Sequence, residues 1–119
     1  MLRRLIPLLL ALGAGSCGSS SPASPTPAPP GATTITIVSG ASTLTTTAYN
    51  PNPITVAVGT TVSFLNSDNT THTSVSNTGV WSSGNIAPGG RFNTTLTVAG
   101  SYPYHCNIHP GMVATLNVQ

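Results

Sequence analysis

An all-β protein, an antiparallel β-sandwich with Greek-key connections, is expected from three observations. Apolar and polar residues alternate with a period of two, turn signals recur at short intervals, and no stretch carries a convincing helical period. Ile35 and Ile37 alternate with threonine. Ile54, Val56 and Val58 alternate up to Gly59, and Val62 and Phe64 follow. Phe92, Thr94, Leu96 and Val98 share one phase, as do Tyr102, Tyr104 and Cys106. Met112, Ala114, Leu116 and Val118 form the last such series. Pro51-Asn52-Pro53, Val58-Gly59-Thr60, Ala87-Pro88-Gly89-Gly90 and Ala99-Gly100-Ser101 separate these runs, with residue types that favour turns over ladders. The abundant threonine and valine favour strands.

The chain of 119 residues is the length of one domain, preceded by a leader and a tether. Residues 1–16 read as a signal peptide: Arg3 and Arg4 give a basic start, residues 5–14 are apolar, and Gly15 and Ser16 are small. The apolar run is short of the roughly 20 residues needed to span a bilayer. Ala14-Gly15-Ser16-Cys17 resembles a bacterial lipoprotein signal, in which Cys17 becomes the lipidated first residue of the mature protein. The alternative is ordinary cleavage at the same place, leaving a free Cys17. Residues 17–32 then form a Ser/Pro/Ala-rich, disordered tether whose residues 18–32 reach about 45 Å in an extended conformation. Residues 33–119 are the folded domain. On this reading the protein is exported, periplasmic or at the cell surface, and held to a membrane through Cys17. Its two cysteines are not expected to pair, since Cys17 lies in the tether and Cys106 in the motif described next.

Charge is almost absent. Arg3 and Arg4 leave with the leader, so only Arg91 and Asp68 remain, and both read as solvated surface charges. A chain without a basic face has no means of neutralising phosphates, which excludes nucleic acid as a partner. With a side-chain net charge near zero, strong long-range steering towards a partner is not expected.

Near the C-terminus, Tyr104-His105-Cys106-Asn107-Ile108-His109-Pro110-Gly111-Met112 offers a thiolate, an imidazole and a thioether at intervals of three residues. His72 lies upstream. Two His, one Cys and one Met form the ligand set suited to a mononuclear copper site built for electron transfer. The inward phase of Tyr102, Tyr104 and Cys106 places the thiol at the end of a strand. Pro110-Gly111 turns the chain so that Met112 opens the next one, and His72 is expected at the end of the neighbouring inner strand. Zinc is the competing metal for such a cage, without redox capacity.

Residues 50–64, His72-Thr73, Ile86-Ala87-Pro88-Gly89, Gly100-Ser101-Tyr102-Pro103-Tyr104-His105-Cys106 and His109-Pro110-Gly111-Met112 resemble, in order, the cupredoxins of the plastocyanin and azurin group. The Cys-x2-His-x2-Met spacing is similar to the short ligand loop of amicyanin. The resemblance covers the whole of residues 33–119. It implies a cupredoxin-like sandwich and a blue, type 1 copper site with His72, Cys106 and His109 as equatorial ligands and Met112 as the weak axial one. It also implies a hydrogen bond from the Thr73 backbone N–H to the Cys106 sulfur, at a position where many family members carry Asn.

These readings converge on a single-electron carrier holding one copper ion per chain, a monomer and not an enzyme. Redox protein partners are expected to dock at an uncharged, apolar patch around Ile108, His109 and Pro110. The alternative is a copper-binding protein for storage, delivery or sequestration. His105 raises a third possibility, because in copper nitrite reductases and multicopper oxidases a His beside the copper Cys binds a catalytic copper. Only His72, His105 and His109 exist, too few for a second copper in a monomer.

Overall fold

In β1 (Thr33–Ile37), Ile35 and Ile37 are wholly buried while the intervening Thr36 keeps partial access to solvent. The period of two in the sequence is thus one strand face turned to the core. The computed structural model describes residues 25–119. The expected signal peptide, Cys17 and the first part of the tether lie outside the described residues.

After β1 come a 3-10 turn (Ala41–Thr43), β2 (Tyr49–Asn50), β3 (Ile54–Val56), β4 (Thr61–Asn66), β5 (Val75–Ser76), β6 (Arg91–Thr95), β7 (Gly100–His105) and β8 (Val113–Val118). They form two four-stranded sheets, in the orders β2-β1-β4-β6 and β3-β8-β7-β5. Among the described residues no helix is long and apolar enough to cross a membrane.

The sandwich follows from the alternation, but its sheets are mixed rather than purely antiparallel. β1 runs parallel to β4 with Ile35 opposite Phe64, and β3 runs parallel to β8 with Ile54 opposite Leu116. The other strand pairs are antiparallel. Between β1 and β4 the chain passes through β3, which belongs to the second sheet, so it re-enters the first sheet in its original direction. Gly59 makes the corner between β3 and β4 with φ +84°, where a side chain would be strained, and its N–H donates to the Leu96 carbonyl at 2.8 Å.

Between the sheets, Phe64 meets Tyr104 edge to face with ring centroids 5.4 Å apart, and Tyr49 meets Tyr104 at 4.9 Å. Trp81 closes the group, 5.7 Å from Tyr104. Each large apolar side chain fully buried in this way contributes about 1.5–3 kcal/mol. In β7, Tyr104 faces in and His105 out, and Cys106 returns to the inward side. The β7–β8 ladder pairs Tyr104 with Ala114 and His105 with Val113, so the loop between them is held at one end of the core.

Arg91 is not a freely solvated charge. Its Nη1 donates to the buried Ser63 Oγ at 3.0 Å and to Thr34 Oγ1 at 3.3 Å, and its Nε donates to the Thr26 carbonyl. The Thr26 N–H donates to the Gly89 carbonyl at 2.9 Å, so the segment just before β1 runs along the domain at this point.

Candidate metal centre

Cys106 directly follows β7 and is completely buried. The loop after it closes on itself. The Cys106 N–H donates to the Met112 carbonyl at 3.2 Å, and the Met112 N–H donates to the His109 carbonyl at 2.9 Å. These two bonds fix a short span of chain, so positioning its side chains costs little entropy. His72 enters from the connection between β4 and β5, joined to Ile86 in an isolated antiparallel bridge. It therefore precedes the edge strand β5 rather than ending an inner strand, and is wholly buried.

His72, Cys106 and His109 converge. Cys106 Sγ lies 4.0 Å from His72 Nδ1 and 3.9 Å from His109 Nδ1, and the two Nδ1 atoms are 3.2 Å apart. The point equidistant from three atoms so spaced lies about 2.2 Å from each, within the range of metal–nitrogen and metal–thiolate bonds of roughly 2.0–2.3 Å. A thiolate with two imidazoles at this spacing fits copper by chemistry as well as by size. Met112 is fully buried directly before β8, tied by its backbone to both Cys106 and His109. His109 alone of the four is partly exposed.

The polar residues behind the cluster were not all legible as such. Asp68, read from sequence as a solvated charge, is only 6 % exposed, and its Oδ2 accepts from His72 Nε2 at 2.7 Å. That bond, helped by the Gly40 and Asn69 N–H groups on Oδ1, holds the Asp68 carboxyl below its ordinary pKa despite burial. A proton held on Nε2 leaves the Nδ1 lone pair facing the cluster. Asn66 organises the same loop. Its Nδ2 donates to the Thr70 and Ile86 carbonyls at 2.8 and 2.9 Å, and its Oδ1 accepts from the Asp68 N–H at 2.9 Å. The signal for Asn66 lay in its phase, inward with Val62 and Phe64.

On the other side, the Thr73 N–H donates to Cys106 Sγ at 3.4 Å, the bond that the resemblance implies. Among the described residues Cys106 has no disulfide partner. His105 stands apart from the cluster, with Nδ1 2.6 Å from Asn77 Oδ1 and Nε2 2.9 Å from Asn107 Oδ1.

The family model of the cupredoxin-like domain matches residues 8–118. The chain belongs to the cupredoxin-like family. Among solved structures, a purple cupredoxin from Nitrosopumilus maritimus is 30 % identical, with 72 % of this chain and 98 % of that one covered and a TM-score of 0.67. The Cu(I) form of an amicyanin mutant is 26 % identical, with 85 % and 94 % covered and a TM-score of 0.69. A copper-containing nitrite reductase from Thermus scotoductus is 26 % identical with a TM-score of 0.62, over 74 % of this chain but only 22 % of that one. The likeness to the reductase is thus to one part of a larger chain, whereas both cupredoxins are matched along nearly their whole length. A search of curated proteins finds no match. A cupredoxin fold with this donor set implies copper.

Proposed function

We propose that this cupredoxin is a single-copper electron carrier working outside the cytoplasm. The observation that carries the reading is the triangle of His72 Nδ1, Cys106 Sγ and His109 Nδ1. Met112, buried and tied by its backbone to Cys106 and His109, would supply the weak fourth ligand. Copper held there supplies a one-electron Cu(I)/Cu(II) couple. His72, Cys106 and Met112 are buried, and Asp68, Thr73 and the closed loop brace them. Donors fixed in this way reorganise little, which suits fast electron exchange. Burial of three of the four also opposes the ready metal exchange that a delivery protein requires.

His109 is the side chain through which an electron enters or leaves. It is the partly exposed member of the cluster, and Ile108, Pro110 and Gly111 around it are exposed and uncharged. This rim is the docking patch for a redox protein partner, in a small and transient interface. The carrier works as a monomer, exported by residues 1–16 and anchored through lipidated Cys17. The basic, apolar and small-residue order of the leader supports that placement, and mass spectrometry of the mature N-terminus tests it, an unmodified Cys17 removing the anchor.

The function itself is tested by two rates on the copper-loaded protein. The carrier reading expects one copper per chain, fast electron self-exchange by NMR line broadening, and slow loss of copper to a competing chelator. Rapid copper loss with negligible self-exchange overturns it in favour of storage or delivery.

A further inference from the structure

Thr73 follows His72 in the chain and is only 4 % exposed. Its Oγ1 accepts a hydrogen bond from the Asn107 N–H at 2.8 Å. A hydroxyl carries two lone pairs and one proton, so this bond leaves the proton free to donate. The acceptor in reach is Cys106 Sγ, 3.7 Å away, close enough for a hydrogen bond to sulfur. The same sulfur already receives the Thr73 backbone N–H at 3.4 Å. The Thr73 carbonyl is held in turn by the buried Tyr49 hydroxyl, which donates to it at 2.6 Å. Tyr49 and Asn107 thus pin this residue from two sides, and both of its donors face one sulfur.

We infer that the Thr73 hydroxyl is a positioning and tuning residue, whose second hydrogen bond to Cys106 Sγ biases the centre towards its reduced form. The inference rests on the copper reading above. A thiolate that accepts two hydrogen bonds has less electron density to share with a bound metal. The cupric ion depends more on that donation than the cuprous ion, so withdrawing it raises the reduction potential. The same hydroxyl braces the loop mechanically, because Asn107 is the first residue after Cys106 and its N–H ends on Thr73 rather than on water.

The test uses the copper-loaded protein and three variants. Thr73→Val keeps the branched shape and removes the hydroxyl, Thr73→Ala removes it with less crowding, and Thr73→Ser keeps it. The expected result is a lower reduction potential in Thr73→Val and Thr73→Ala, with the thiolate-to-copper absorption band moved to lower energy. Thr73→Ser should stay near the parent in both respects, a rescue that packing alone does not explain. If Thr73→Val fails to fold, Thr73→Ala against Thr73→Ser decides in the same way. A blue parent whose hydroxyl-free variants keep its potential and band overturns the role of Thr73 and leaves the copper reading standing. A parent that takes up no copper, or takes it up without a thiolate band, overturns the copper reading itself.

Discussion

The Asp68 carboxylate lies 2.7 Å from His72 Nε2, with both side chains buried, and is the brace that turns the other ring nitrogen towards Cys106. Asp68 also accepts from the Gly40 and Asn69 N–H groups, at 3.0 and 2.9 Å. Asp68→Ala therefore leaves three donors without an acceptor. Copper affinity should fall roughly 10- to 100-fold, the usual effect of removing an outer partner of a metal-bound His. The metal-free protein should lose about 1–3 kcal/mol of stability. Competition with a chelator and denaturant unfolding measure the two effects, and an affinity equal to that of the parent contradicts the bracing role.

The same contact makes stability depend on pH. The hydrogen bond from His72 holds the Asp68 carboxyl below its ordinary value, so the folded state binds its proton more weakly than the unfolded state does. The resulting stabilisation is present above the unfolded value of about 3.9 and is lost as pH falls through the folded one. In unfolding experiments on the metal-free protein, the parent should be more stable than Asp68→Asn near neutrality, and the gap should close in acid. A gap that stays constant with pH assigns the difference to shape rather than to charge.

Arg91 and Asp68 are the two charged side chains of residues 25–119, and both are held in hydrogen bonds. They are one charge of each sign, and neither belongs to the rim around His109, so little is left there to guide a partner by charge. Electron self-exchange should therefore change by less than about twofold as the Debye length shrinks from roughly 30 Å to 3 Å with added salt. Stopped-flow or NMR rates across that range check this, and a steep dependence contradicts an uncharged docking face.

Phe64 is fully buried in β4 and faces Tyr104 across the sandwich and Phe92 within its own sheet. Phe64→Ala should cost about 3–5 kcal/mol through lost burial and the cavity left behind. The midpoint of denaturant unfolding reads this directly. Because Tyr104 leads into Cys106, the same variant should also weaken copper binding.

Much of this was legible in the order of residues. The alternation of Ile35 with Ile37, of Tyr104 with Cys106, and of Met112 through Val118 fixed which faces turn inward, and these residues are buried. Cys106, His109 and Met112 were readable because one short loop carries all three, and His72 because so few histidines exist. The direction of strand pairing was not readable. A period of two specifies a face and not a neighbour, so the parallel pairing of β1 with β4 and of β3 with β8 stayed hidden. The burial of Asp68 was hidden for a different reason. It sits in the polar run Asn66-Ser67-Asp68-Asn69-Thr70-Thr71, which looks like an ordinary solvated turn until Asn66 is seen drawing it inward. Val98 failed in the opposite sense, since it shares the phase of Leu96 but lies past the end of β6 and is exposed.

The visible absorption spectrum of the protein loaded with one equivalent of Cu(II) tests the central claim most directly. The geometry of His72, Cys106 and His109 predicts an intense thiolate-to-copper band in the red that is lost in Cys106→Ser. An oxidised, copper-loaded protein without such a band, or one whose band survives Cys106→Ser, contradicts the account.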